Sequence, residues 1–525
     1  MKRYFNNYIA LVVGLLFIAS CSKDLNLQPT NDITADVAYA TPEGYKSGIA
    51  KVYGSFATTG NQGSGSGDLG GIDPGTSDFL RLFWMAQELP TDEAICAWVG
   101  DDGIPGLDYM NWSATNVMLL GVYARSIYQI TLANEFLRES TDEKLSARNI
   151  TGDDLTEIAY YAAEARFLRA FQYWVLMDLF ANPPFVTETS EVGKEAPSQI
   201  SRADLFNYIE SELLAIEDLL KDDNEYGRAT RWAADALLAR LYLNAEVYTG
   251  TARYNEAVSY AERIIQSGKY RLHSKYANLF MADNNLNNPE VILSINYDGV
   301  YTQNYGGTTY IINAATGGTL SPADFGVPNG GWQGNRSRPN LPNIFGSYAT
   351  TNDQRAMFAG TKNRIDDVSA FTDGLAVAKF TNMTSTGEAA ASVGGTFCST
   401  DFPLFRLAEM YLIYAEAVLR GGNGSLATAL NYMNLLRSRA YENASGNLSS
   451  ISLDEILNER MRELYWEAFR RSDLIRYNRF VEATYVWPWK GGVANGQAVE
   501  AFRNIYPLPS TDVIANPNLT QNPGY

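Results

Sequence analysis

Histidine is nearly absent from this sequence and cysteine is scarce: 525 residues hold one histidine, His273, and three cysteines. A single imidazole excludes histidine-rich metal sites, the HExxH zinc motif, and any Ser-His-Asp or Cys-His centre not built on His273 itself. His273 lies in Gly268-Lys-Tyr-Arg-Leu-His-Ser, where a helix exit runs into a loop, and it reads as structural. Three cysteines do not make a disulfide framework. Cys96 and Cys398 could pair in an oxidising compartment, and their sequence separation leaves that pairing open. Positive charge is also short, with 41 Lys and Arg against 59 Asp and Glu and a net charge of −18. Such a surface repels phosphate backbones, so nucleic acid is not expected as a partner, and anionic substrates are disfavoured. A neutral ligand fits best. The glycine-rich run Gly60–Gly75 lacks the Gly-Lys-Ser/Thr ending of a phosphate loop and reads as a plain loop.

The apolar stretch Tyr8–Ile18 is shorter than the ~20 residues a membrane-spanning helix needs. Lys2 and Arg3 precede it, and Ile-Ala-Ser follows directly before Cys21. That order describes a secretory signal peptide over residues 1–20. A small-residue site closed by a cysteine resembles the lipobox of bacterial lipoproteins, which implies cleavage, lipidation of Cys21 and a lipid anchor in a membrane. Cleavage would remove Lys2 and Arg3 and take the net charge from −18 to −20.

What is abundant is apolar and aromatic. Hydrophobic residues make up 46% of the chain, enough for a large core, and aromatic residues 12%, including 33 tyrosines. Helical spacing of apolar residues predicts helices over Asp154–Leu179, Ser201–Leu220, Trp232–Tyr248, Tyr254–Ser267, Phe405–Arg420, Ser425–Ala440 and Leu453–Arg479. Ser201 is a candidate N-cap and Gly268 a candidate C-cap glycine. Small and large residues alternate in Ala163-Glu-Ala-Arg-Phe-Leu-Arg-Ala, Ala234-Asp-Ala-Leu-Leu-Ala-Arg-Leu and Leu407-Ala-Glu-Met-Tyr-Leu-Ile-Tyr-Ala-Glu-Ala. This is the grammar of tetratricopeptide (TPR) units, in which small positions let paired helices pack closely; a plain helical bundle is the alternative. Val291–Asn296 and Thr309–Asn313 are β-prone. The expectation is a mainly α protein with TPR-like helix pairs and long loop-rich insertions. Residues 21–525 would form one domain, because nothing between the helices reads as a linker.

Two constellations invite chemistry. Asp92-Glu93, after Pro90-Thr91, is the most conspicuous carboxylate pair. Adjacent side chains usually diverge, so a cap or loop anchor is the better reading than a glycoside hydrolase pair. The other constellation is aromatic. Trp98 near Asp101, Tyr305 in Asn304-Tyr-Gly-Gly and Trp332 in Asn329-Gly-Gly-Trp sit in loops beside polar groups. Sugars present apolar C–H faces and hydroxyl edges, which exposed rings and flanking polar groups can hold. Taken singly, each ring reads as a loop anchor; together they lean toward glycan binding.

Long stretches resemble one family. They include Glu88-Leu-Pro-Thr-Asp-Glu93, Ala163–Ala170, Arg240-Leu-Tyr-Leu-Asn-Ala-Glu-Val-Tyr-Thr-Gly250, Leu279-Phe-Met-Ala-Asp-Asn284 and Asn304-Tyr-Gly-Gly-Thr-Thr-Tyr310. Phe371-Thr-Asp-Gly-Leu375, Pro403–Glu409, Arg470-Arg-Ser-Asp-Leu-Ile-Arg476, Trp489-Lys-Gly-Gly492 and Gln521-Asn-Pro-Gly-Tyr525 complete the set. On these residues the chain is similar to the SusD/RagB-like family of outer-membrane nutrient-uptake lipoproteins, and to its starch-binding branch. The resemblance implies a TPR-containing fold, no catalytic activity, and capture of starch or α-glucan oligosaccharides. It also implies delivery to a SusC-like TonB-dependent transporter from a lipid anchor at the cell surface. A different neutral polysaccharide or a peptide is the alternative cargo, and a glycoside hydrolase a remote one. The matching ligand-binding positions are Asp73, Arg81, Trp98, Asp101, Tyr305 and Trp332. Asp101 stands where the starch binder has an asparagine, and Cys96 where it has a second tryptophan. No cofactor is required. A calcium site of the starch binder is thinned here to Asn285, Ser399 and Asp401, which predicts weak calcium binding at most.

Overall fold

The computed structural model describes residues 34–525; the expected signal peptide and Cys21 lie outside the described residues. The first half of the scaffold is built from α1 (Pro42–Gly54), α2 (Phe79–Glu88), α3 (Val117–Glu139), α4 (Gly152–Phe180), α5 (Arg202–Ile216) and α6 (Arg231–Leu243). The second half adds α7 (Tyr254–Gln266), α8 (Gly307–Ala315), α9 (Leu407–Leu419), α10 (Leu426–Ala440), α11 (Leu453–Leu464) and α12 (Arg470–Arg476). Between them run β1 (Ala94–Cys96), β2 (Val291–Ile295), β3 (Asn335–Ser337) and β4 (Phe402–Arg406). β1 pairs antiparallel with β3, and β2 with β4.

Most of the expected helices form, although α6 stops at Leu243, where Asn244 separates it from a short helix over Ala245–Thr249, and Phe405 and Arg406 belong to β4 before α9 begins. The small residues account for how they stack. α6 packs on α7, α7 on α9, and α9 on α10 and α11. Ala233, Ala236 and Ala239 of α6, Ala257 and Ala261 of α7, and Ala408 and Ala415 of α9 are fully buried. With a methyl group at each crossing the backbones approach closely, as TPR pairing requires. A second stack, α3 on α4 and α4 on α5, adjoins it, with α1 and α2 covering α3. The two expected caps form: Ser201 accepts from Asp204 N, and Gly268, just past α7, is left-handed at φ +68°. Ser425 caps α10 in the same way, accepting from Thr428 N.

Two expectations fail for identifiable reasons. The run Leu453–Arg479 is not one helix: it breaks at Tyr465–Phe469, where Trp466 and Ala468 both adopt φ +64°. The freed backbone donors are taken by distant carboxylates, Trp466 N by Glu93 Oε2 at 3.1 Å and Ala468 N by Glu88 Oε1 at 2.7 Å. The Trp466 ring packs edge-on against Trp84, whose indole N–H donates to the Trp466 carbonyl. Second, the β-prone Thr309–Asn313 lies inside α8. Every residue of α8 is buried, so the β-branched run packs on all sides, while Asp78 accepts from the Gly307 N–H at its first turn.

Asp92 and Glu93 are buried anchors. Arg470 grips Asp92 with Nε at 2.7 Å and Nη2 at 2.8 Å, and both carboxylates are at most 2% exposed. His273 is structural too, its Nδ1 accepting from Lys275 N in a turn. Cys96 and Cys398 are both buried and free. Among the described residues no helix is long and apolar enough to cross a membrane.

Candidate functional site

The six matched residues converge. Asp73, Arg81, Trp98, Asp101, Tyr305 and Trp332, joined by Gly75 and Thr76, line one open depression of about 420 Å³. They come from four separate stretches of chain, and each is placed by a local device.

Asp78 organises the first two stretches. It is the N-cap of α2, where its Oδ1 accepts from Arg81 N at 2.9 Å, and the same oxygen accepts from Gly307 N at 2.7 Å. One carboxylate thus ties the starts of α2 and α8 together. Burial pushes its pKa up to about 6, against the pull of those two N–H donors. The close approach demands glycine: a Cβ on Gly306 would lie 1.9 Å from Asp78 Cβ, and one on Gly307 (φ +56°) 2.2 Å from the Tyr297 ring. Asn304 completes the loop by donating to the Ala57 carbonyl. Tyr305, between these anchors, is 39% exposed, and Phe397 backs its ring at 5.3 Å.

Arg81 reaches from α2 to bond the Gly75 carbonyl at 2.7 Å and the Tyr305 carbonyl at 3.2 Å. Its guanidinium lies over Tyr310 at 4.6 Å and within 5.8 Å of the Trp98 ring centroid. Burial pulls its pKa below the ordinary arginine value. Arg81 is therefore a strut between two rims of the depression.

The tryptophans leave adjacent ends of the β1–β3 ladder. Ala97 N extends the pairing to Gly334 O at 2.8 Å, and Trp98 Nε1 donates to the Trp332 carbonyl at 3.1 Å. A Cβ on Gly334 would press to 2.7 Å on the Trp98 ring, so the glycine lets that ring lie flat on the strand end. Trp332 N is held by Asn313 O of α8 at 2.8 Å. The Tyr305 and Trp332 rings stand 6.2 Å apart and inclined by 49°. Asp73 and Asp101 are exposed at the rim. Cys96 is fully buried in β1 and does not line the depression, and the Asp108 carboxylate accepts its N–H at 3.1 Å.

The calcium residues do not assemble into a cation site. Asn285 is exposed, and it is the neighbouring Asn284 that exchanges hydrogen bonds with the Asp401 backbone. The Asp401 carboxylate accepts from Tyr297 N at 2.7 Å, and burial pushes its pKa up to about 7. Ser399 Oγ is engaged by Gly299 N and Ala391 O. A lone carboxylate is a poor site for calcium, which prefers several charged oxygen ligands, and of the three residues only Asp401 carries one. No cluster of three metal-ligating acidic, histidine or cysteine residues occurs among the described residues.

Comparison with known proteins places these features in a lineage. A model of the SusD family matches residues 324–525, and one described as starch-binding associating with outer membrane matches residues 107–243. The chain is 35% identical to the starch-binding protein SusD of Bacteroides thetaiotaomicron, over 97% of this chain and 96% of that one. It is 26% identical to SusD-like protein P2 of Formosa agariphila over the full length of both. A crystal structure of a SusD homolog from Bacteroides thetaiotaomicron superposes with a TM-score of 0.74 at 20% identity, covering 94% of this chain and 99% of that one. Surface glycan-binding protein A from Bacteroides fluxus gives a TM-score of 0.67 at 21% identity, covering 92% and 100%.

Proposed function

The chain belongs to the SusD family, and from that premise we propose that it is a non-catalytic, surface-exposed lipoprotein of the outer membrane. It captures starch-type α-glucan oligosaccharides and hands them to a SusC-like TonB-dependent transporter. The observation that carries the reading is the open depression in which Trp98, Tyr305 and Trp332 meet Asp73, Asp101 and Arg81. Sugar C–H faces stack on the rings while hydroxyls donate to the two rim carboxylates. Because the Tyr305 and Trp332 rings are inclined by 49°, they suit a ligand whose successive sugars turn, as in an α-linked glucan, better than a flat β-linked ribbon. A second cargo, another neutral polysaccharide or a peptide, is favoured by Asp101 alone, which accepts hydrogen bonds but cannot donate as an asparagine would.

The test is calorimetric titration of the mature chain lacking Cys21 against maltoheptaose, cyclic α-glucans, β-glucans and fructans. Binding confined to α-glucans and lost in Trp332→Ala is the expected result. Binding to a different glycan, or none by folded protein, would overturn the cargo. Release of reducing sugar from starch would overturn the non-catalytic reading.

A further inference from the structure

Beside the aromatic depression lies a second one of about 460 Å³, and the two share Asp101 as a common wall. Its chemistry differs. Asp102, Asn111, Ser113 and Thr115 are all surface residues along it. The one indole in its lining, Trp112, is 2% exposed, and its N–H is given to the Tyr525 hydroxyl at 2.6 Å. The exposed lining is therefore mostly polar, the Ser113 and Thr115 hydroxyls, the Asn111 amide and the Asp101 and Asp102 carboxylates, with Val99 and Pro105 as apolar edges and no open ring to stack on. The Asp102 and Asn111 side chains, both exposed, make no hydrogen bond or ion pair with other described residues.

The trough is also stiff. Asn116 caps α3 by accepting from Met118 N and Leu119 N, and its amide donates to the Gly103 carbonyl at 2.9 Å. From the other side Arg503 bonds the Trp112 carbonyl at 2.8 Å and stacks on its ring. The braced backbone has little entropy left to lose when a ligand binds, so the ordering cost falls on the side chains alone. The partition between the depressions is a single turn, closed by Asp101 N on the Trp98 carbonyl at 3.1 Å.

We propose that this trough is an extension subsite for the same glycan: a chain stacked on Trp98 continues over Asp101, and its next sugars donate hydroxyl hydrogen bonds to the Asp102 carboxylate and exchange them with the Asn111 amide. The inference rests on the α-glucan reading. It divides the labour, with rings supplying affinity at one end and directional polar contacts reading chain length at the other.

The experiment compares maltotriose with maltoheptaose by calorimetry, on the intact mature chain and on Asp102→Ala/Asn111→Ala, with melting temperatures as the folding control. Both residues are exposed and unpartnered, so the variant should melt like the parent. The expected result is a gain with length in the parent of at least about fivefold, the worth of one to two added hydrogen bonds. The variant should lose that gain while maltotriose affinity stays unchanged. A gain that survives the variant, or equal affinity for both lengths in the parent, overturns the trough and leaves the aromatic site standing. Failure of the folded parent to bind either sugar sinks the α-glucan reading and the trough with it.

Discussion

At the scale of single residues, the two tryptophans of the depression should separate in their behaviour. Trp332 offers its carbonyl to Trp98 Nε1, and a carbonyl survives truncation to alanine. Trp332→Ala should then cost affinity, about 2 kcal/mol or roughly thirtyfold in Kd for a central aromatic anchor, with little change in melting temperature. Trp98→Ala removes the hydrogen bond and the ring that covers Gly334. It should lower affinity and the melting temperature together, the latter by about 1–2 °C for about 1–2 kcal/mol in a chain of this size. Paired titrations and thermal melts check both; identical thermal losses would contradict the assignment. Residue identity alone made little of this legible. The rings and Asp101 could be singled out as loop aromatics beside polar groups. Asp73 and Arg81 came only through resemblance, and Gly75, Thr76 and the backing ring of Phe397 came through neither. Their roles depend on backbone carbonyls and on contacts across the fold, which leave no local pattern.

At the scale of elements, the Glu88-Leu-Pro-Thr-Asp-Glu93 segment and the break in the arginine-rich run are one device. Glu88 and Glu93 are buried side by side and accept from Ala468 N and Trp466 N. Burial raises both carboxyls, Glu93 to about 7 and Glu88 well above its ordinary value, and a neighbouring carboxylate adds to each, Asp92 beside Glu93 and Glu93 beside Glu88. A carboxyl whose folded pKa exceeds its unfolded one binds more protons when folded. Its contribution to stability is full below the unfolded value, 4.5 for a glutamate, and is lost as pH rises through about 7. Glu93→Gln keeps an acceptor for Trp466 N and carries no charge. It should therefore flatten the fall in melting temperature between about pH 5 and pH 8; an unchanged slope would show that Glu93 does not titrate in that window. The same device marks where periodicity misleads. Helical spacing in Leu453–Arg479 is real, but the donors that end α11 are claimed by carboxylates 373 and 380 positions away. By contrast α4, α7 and α10 were legible almost to their ends, since apolar spacing and a local stop signal agree, Asn182-Pro183-Pro184 after α4 and Gly268 after α7, with the Ser425 cap opening α10.

At the scale of the whole molecule, the paired ionisable groups set a preferred pH. Asp108, Asp235 and Asp401 are pushed from 3.8 up to about 7 by burial, so like Glu93 they withdraw stability as pH rises from the ordinary carboxylate range through about 7. Asp92, Glu416 and Glu459 are buried too, yet neighbouring arginines hold them below the ordinary carboxylate range. Their stabilisation is lost only as pH falls through those low values. Stability should accordingly be greatest in mildly acid solution, with the melting temperature lower at about pH 8 than at about pH 5.5, a scan that differential calorimetry can make directly. The surplus charge has a functional counterpart. A chain at −18, with Asp73 and Asp101 exposed at the rim of the depression, surrounds its site with negative potential and offers a neutral sugar no long-range attraction or repulsion. Affinity for a neutral α-glucan should thus stay constant from about 0.1 M salt, where the Debye length is about 10 Å, to about 1 M, where it is about 3 Å. A polyuronate offered to the same site should bind weakly at low salt and gain as screening increases. Salt-sensitive binding of the neutral glucan would mean that charge, not stacking and hydroxyl contacts, governs capture.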